Sequence, residues 1–320
     1  MVTIKDLSKY TNISKSTISR YLNDGYVSEE KKKIIEEAIK TLGYRGNSIA
    51  KSLKTNRSMT VALLVPSVTN YFFSYIAEVI QLELNKYNYK MSLYNSNNDI
   101  NRELNFISQA MENRVDGIIV STGSKDCVKA YEALNIPIIA MDREISDNIP
   151  LIISDNSLGA YDLTAHLHSK GCKKILFIGS VDKNIIPAEY RKNGFLKYAK
   201  EQQIETFIID DQALEDTLKE ESFIRNFDAI MVWNDQTAFK VSSILYKMGL
   251  KIGEDILLTG YDNTYFSKYM NPPLTTANQP TDQIGETAVK LLMNLISGKT
   301  MKNRKVVFHN SIIKRESTGD

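Results

Sequence analysis

The sequence predicts an N-terminal three-helix helix-turn-helix head, followed by a two-lobed α/β body built on two parallel, doubly wound sheets. Three observations lead there. The first 45 residues carry three short amphipathic periods separated by capping and turn residues. From residue 60 the rhythm changes to near-continuous apolar runs alternating with amphipathic helices, the pattern of parallel strands covered on both faces. About ten such strands are expected, whereas one doubly wound sheet holds roughly five or six, so two similar lobes fit better. A cleft then lies between the carboxyl ends of their strands.

In the head, Thr3 caps a first helix with Ile4, Leu7 and Tyr10 on one face. Thr11-Asn12-Ile13 is a short turn, and Ser14 caps a second helix with Ile18, Tyr21 and Leu22 inward. Ser28 opens the third, where Glu29 and Glu30 suit the positive end of the helix dipole. Its apolar row is Ile34, Ile35, Ala38, Ile39 and Leu42, and Gly43 ends it. Two helices joined by so short a turn form a helix-turn-helix. Residues 45–58 make a polar, basic connector with only Ile49, Ala50 and Leu53 apolar, too short to be a stable helix alone. In the body, strands are expected at 60–66, 90–95, 117–121, 138–141, 151–154, 174–179, 205–209, 229–233 and 256–261. Helices fall between them, including 75–87, 102–113 and 158–169.

Composition narrows the function classes. Residues 1–57 hold 12 Lys and Arg against 6 Asp and Glu, a net of +6; the rest holds 28 against 32, a net of −4. A basic head on a mildly acidic body directs the head toward a polyanion. No apolar run of ~18 residues exists to span a membrane, and Met1-Val2-Thr3-Ile4-Lys5-Asp6-Leu7 has no secretory character. Cys127 and Cys172 are the two cysteines, in different units, which fits a reducing cytoplasm. Of the histidines, His166 and His168 stand at i,i+2 on a helix and point apart, and His309 is alone, so no metal is expected. No phosphate-binding glycine loop, dinucleotide fingerprint or nucleophile elbow occurs, and no cofactor is expected.

The second helix of the head is the candidate recognition helix. Lys15, Ser16 and Arg20 can reach base edges, while Thr3, Ser14, Thr17, Ser19 and Asn23 are short donors suited to phosphate oxygens. The stretches Thr3–Leu7, Ile13–Arg20, Leu42–Tyr44 and Ala50–Thr55 closely resemble the head and hinge of LacI-type (lactose-repressor-like) transcriptional regulators. The loop Asn23–Ser28 departs slightly from that pattern. The resemblance implies base reading by Lys15, Ser16 and Arg20. It also implies a hinge that becomes helical only on DNA, with Asn47 and Ala50 at the contact and Leu53 as a wedge in the minor groove.

Polar residues recur just after predicted strands, where α/β folds place ligands. They are Asn70 with Phe72 and Phe73, Asp142-Arg143, Asp155-Asn156, Asn234-Asp235 and Tyr261-Asp262-Asn263. Arg191 joins them from Tyr190–Phe195. Asp, Asn and Arg pairing to hydroxyls, with aromatic faces against a ring, is sugar-binding chemistry. Each also has a plainer role: Asp155 and Asp235 as helix caps, Phe72 and Phe73 as core or subunit contacts, Arg191 in a surface ion pair.

The body resembles the same family's regulatory domain, which is similar to periplasmic sugar-binding proteins. That resemblance assigns effector contacts to Asp142, Arg191, Asn234 and Asp262 and a pocket lining to Phe72, Trp233 and Gln279. It favours a sugar over a purine; Arg143 and Arg191 leave a sugar phosphate open. It implies a head at 1–45, a hinge at 46–59 and an effector-binding and dimerisation domain at 60–320. Lobe one then spans about 60–156 and 282–305, and lobe two about 157–281 and 306–320. Because no tetramerising heptad follows Glu316-Ser317-Thr318-Gly319-Asp320, a homodimer on pseudo-palindromic double-stranded operator DNA is expected. Two other readings stay open: a pleiotropic carbon-catabolite regulator that uses a phosphoprotein co-repressor, and a cytosolic sugar enzyme.

Overall fold

The structure, a computed structural model, describes residues 2–22, 25–44, 57–121, 125–180, 185–301 and 303–320. The chain divides into two compact units, Met1–Ser58 and Met59–Asp320.

The first unit contains α1 (Ile4–Thr11), α2 (Lys15–Tyr21) and α3 (Glu29–Leu42). Thr3 and Asp6 form a reciprocal capping box on α1, Ser14 accepts from Thr17 N on α2, and Gly43 ends α3 in the left-handed region. Ser28 precedes α3 without a side-chain cap bond. Leu7, Ile13, Ile18, Ile35 and Ala38 form the core. Tyr10 and Ile34, expected on the inner faces, are exposed; the apolar stripes of α1 and α3 reach past the small core.

The second unit holds two six-stranded sheets. Lobe one orders β11 (Lys305–Phe308), β5 (Leu151–Ser154), β4 (Ile138–Met141), β3 (Gly117–Val120), β1 (Thr60–Val65) and β2 (Lys90–Asn95). Lobe two orders β12 (Ser311–Ile313), β10 (Thr275–Asn278), β9 (Leu257–Asp262), β8 (Ala229–Val232), β6 (Lys174–Gly179) and β7 (Glu205–Asp210). Every pairing is parallel except that of β12 with β10. β1, β3 and β4 are apolar apart from Thr60 because helices cover both faces; Ala62, Leu64, Ile118, Val120 and Ala140 pack to one side, and Leu63, Ile119 and Ile139 to the other.

The chain crosses between lobes three times: after β5, after β10 and between β11 and β12. This corrects the expected boundary at 305/306, since β11 pairs with β5 in lobe one through Phe308. Strands β10, β11 and β12 escaped the sequence reading. They are short and only partly apolar, and β11 and β12 lie at sheet edges. Among the described residues, no helix is long and apolar enough to cross a membrane.

Candidate functional site

The exposed face of α2 carries Lys15, Ser16 and Arg20, with Ile18 buried beneath. Ser14 is committed to the helix cap, and its hydroxyl lies 2.9 Å from that of Ser16 and 2.8 Å from that of Thr17. The Thr3 hydroxyl donates to Asp6 at 2.6 Å, so its first role is to hold the start of α1. Ser19 is half-buried beside Ile18. The expected contacts Asn23, Asn47, Ala50 and Leu53 lie outside the described residues.

In the second unit, the carboxyl ends of both sheets meet at a cavity of about 100 Å³. Eight of the nine expected effector residues line it: Asn70, Phe72, Asp142, Arg143, Arg191, Trp233, Asn234 and Asp262. The ninth, Gln279, donates to Asp262 at 2.7 Å and accepts from Ser154 at 2.7 Å, and lines an adjoining space of about 650 Å³ that also touches Phe72 and Asp262.

Each lining residue is placed by its element. Asn70 caps the helix Tyr71–Lys86 by accepting from Phe72 N at 3.0 Å, and Asn234 caps the helix Asp235–Lys247 by accepting from Thr237 N at 2.8 Å. Both amides therefore spend their oxygen on the backbone and keep an NH₂ donor. Asp142 and Asp262 stand at or just past strand ends with φ of 65° and 106°. Such positive φ is costly for a non-glycine residue and is concentrated at ligand sites.

The plainer reading of Arg191, a surface ion pair, does not hold. The residue lies on the helix Ile186–Glu201 and is 4% exposed. Gly194, one turn on, lets this helix press against the start of the helix Asn156–Ser169, where an added Cβ would sit 2.0 Å from Ser157 O. Arg191 then donates to Asn156 Oδ1 at 2.8 Å and Trp233 O at 2.6 Å, pairs with Asp262 at 3.2 Å, and lies 3.8 Å from the centre of the Tyr261 ring.

Asp235, expected to cap a helix, does not; Asn234 takes that role. Asp235 is fully buried and accepts from Thr264 N at 2.7 Å, from Thr276 Oγ1 at 2.7 Å and from the Thr264 and Ser267 hydroxyls. Asp155 does cap its helix, accepting from Leu158 N at 2.9 Å. Phe72 and Phe73 belong to the core of lobe one, as the plainer reading had it, and both also reach the cavity wall. Missed by the sequence reading as lining residues were Pro66, Ser67, Asn98, Ile185 and Pro187. Asn98 accepts from Arg143 at 3.1 Å and follows β2, so the strand-end rule applied there would have found it.

Burial raises Asp142, while Arg143 and Arg191 pull it back. Burial pushes Asp262 up to about 7, against Arg191 and Gln279, which lower it, and Asp235 and Asp142, which raise it. The native Asp262 therefore holds a proton over a range in which the unfolded carboxyl, near 3.8, has lost it. Its contribution to stability falls as pH rises from about 4 to 7. Asp262→Asn cannot ionise, so its melting temperature relative to wild type should climb between about pH 4 and pH 7. Parallel melting curves across that range would place the ionised carboxylate in the native state throughout.

A two-lobed domain with its polar residues gathered at the mouth of two parallel sheets, preceded by a helix-turn-helix unit, defines a class: DNA-binding proteins with a binding-protein-like body. The comparisons agree. The model for bacterial regulatory proteins of the lacI family matches residues 3–47, and that for a periplasmic binding protein-like domain matches residues 164–318. The ribose operon repressor of Halalkalibacterium halodurans is 32% identical over 324 residues, 99% of this chain and 97% of that one. A periplasmic binding protein/LacI transcriptional regulator from Alkaliphilus metalliredigens QYMF, complexed with D-xylulofuranose, matches with a TM-score of 0.75 and 32% identity, over 82% of this chain and 100% of the other. The Lac repressor dimer bound to operator and the anti-inducer ONPF shares the fold, with a TM-score of 0.86 and 24% identity over 99% of each chain. The chain belongs to the lacI family of bacterial regulatory proteins. It is a DNA-binding transcriptional repressor, not an enzyme.

Proposed function

We propose that this repressor binds a pseudo-palindromic operator as a homodimer and that a neutral monosaccharide in the interlobe cavity sets its operator affinity. The observation that carries the effector reading is the convergence of Asn70, Asp142, Arg143, Arg191, Asn234 and Asp262 with Phe72 and Trp233 on one small cavity. Acceptors, donors and aromatic faces together suit a ring bearing hydroxyls. The cavity, about 100 Å³, is well below the ~300–1,000 Å³ of drug-sized ligand sites, which supports one sugar ring.

Charge balance supports a neutral ligand over a phosphorylated one. Arg191 is paired with Asp262, and Arg143 stands beside Asp142. The names of the relatives, ribose operon repressor and a complex with D-xylulofuranose, make pentoses the first candidates. A thermal-shift screen of pentoses, hexoses, their phosphates and purines tests this, because a ligand specific for the native state raises the melting temperature. A neutral monosaccharide should give the largest rise; a response confined to phosphates or purines contradicts the proposal.

The dimer is supported by an exposed aromatic seam running across both lobes. Tyr71 of lobe one packs on Phe266 of lobe two at 4.6 Å, and Tyr265 and Tyr269 continue it. These rings are 40–65% exposed, and contiguous exposed apolar surface marks association sites.

In the head, Arg20→Ala should lower operator affinity by about 1–3 kcal/mol if Arg20 reads a base edge, with far less change in non-specific binding. Equal losses in both would make it a phosphate contact.

A further inference from the structure

We propose that Asp211 is a positioning residue for the effector cavity: its carboxylate fixes the Trp233 indole as one wall of the cleft. This rests on reading that cavity as the effector site.

Trp233 directly follows β8, and its half-buried side chain lines the cavity. Its backbone is held twice, by its N–H to Ile178 O at 2.9 Å and by its carbonyl accepting from Arg191 at 2.6 Å. Neither bond sets the side-chain torsions. The indole N–H donates to Asp211 Oδ2 at 2.9 Å, and that bond does. Asp211 begins the short turn Asp211–Ala213 after β7, a turn held in place by Asp210 accepting from Gln212 N at 3.1 Å.

The indole nitrogen is a donor only. Without Asp211 it would take water or turn its N–H toward the ligand, and ordering the ring again would be charged against binding. Asp211 is absent from the cavity lining, so its effect passes through Trp233 alone. Burial and the neighbouring Asp210 raise the Asp211 carboxyl, and the indole bond and Lys240 lower it.

The chain contains one tryptophan, so emission reports on Trp233 directly. Time-resolved anisotropy of the full chain without ligand should show slow tumbling only in wild type and an added nanosecond component in Asp211→Ala. Asp211→Asn, whose amide oxygen accepts the same bond, should resemble wild type. D-ribose would then be titrated into all three proteins and followed by emission and by calorimetry. Asp211→Ala should bind about fivefold more weakly, the equivalent of ~1 kcal/mol, and Asp211→Asn within about twofold of wild type. Unaltered anisotropy in Asp211→Ala, or equal affinities in all three, overturns the proposal. Absence of D-ribose binding to wild type counts against ribose as the effector, and the anisotropy then decides the positioning role by itself.

Discussion

Replacing Arg191 by alanine is expected to weaken effector binding at least tenfold while leaving effector-free operator affinity near that of wild type. The guanidinium is the hub of the cavity, satisfying Asn156 Oδ1, Trp233 O and Asp262 from within the core of lobe two. Charge-assisted bonds of this kind are worth ~1.5–3 kcal/mol each when one partner is truncated, and 1.4 kcal/mol is tenfold in affinity. Stability should fall by roughly 3 kcal/mol, because breaking a buried pair strands its partner. Protonation of Asp262 softens that cost, since its carboxyl is already raised to about 7. The loss should therefore be larger at about pH 8 than at pH 5, and urea denaturation at both values checks it. Equal losses would mean that removing Arg191 leaves the ionisation of Asp262 unchanged.

The second large effect is expected at Asp235, which is not itself among the residues lining the cavity. Its two oxygens accept one backbone and three hydroxyl hydrogen bonds, from Thr264, Ser267 and Thr276. They tie the start of the helix Asp235–Lys247 to β10 and to the turn Tyr265–Tyr269. Asp235→Ala leaves all of those donors buried or half-buried without an acceptor, at about 3–5 kcal/mol. Asp235→Asn keeps one oxygen and should lose less. Denaturant midpoints at unchanged m-value test this. A loss below ~1 kcal/mol would show that water replaces the carboxylate.

Much of this was legible from the sequence because parallel strands buried on both faces leave long apolar runs, and ligands gather where those runs end. TVALLV and KILFIG announce β1 and β6, and Asp142, Asn234 and Asp262 follow from the strand-end rule. The rule could not separate caps from hubs. Asn234 and Asp235 are adjacent and both polar, and only the fold decides that the first accepts from Thr237 N while the second faces inward to Thr276. Arg191 was found by resemblance, not by spacing, since its helix is only weakly amphipathic and signals no buried cation. The Trp233–Asp211 bond joins residues 22 apart at the ends of β8 and β7, which β6 separates in the sheet, and no local pattern marks it.

The most direct test of the account is an operator titration by fluorescence anisotropy. It would use a duplex that wild-type protein selects from a randomised library, with and without D-ribose and the other monosaccharides of the screen, for wild type and Arg191→Ala. One neutral monosaccharide should change the operator affinity of wild type by tenfold or more, the scale of an allosteric coupling of ~1–3 kcal/mol, whereas Arg191→Ala should bind the operator and not respond. Operator affinity unmoved by every neutral monosaccharide, or moved equally in both proteins, contradicts it.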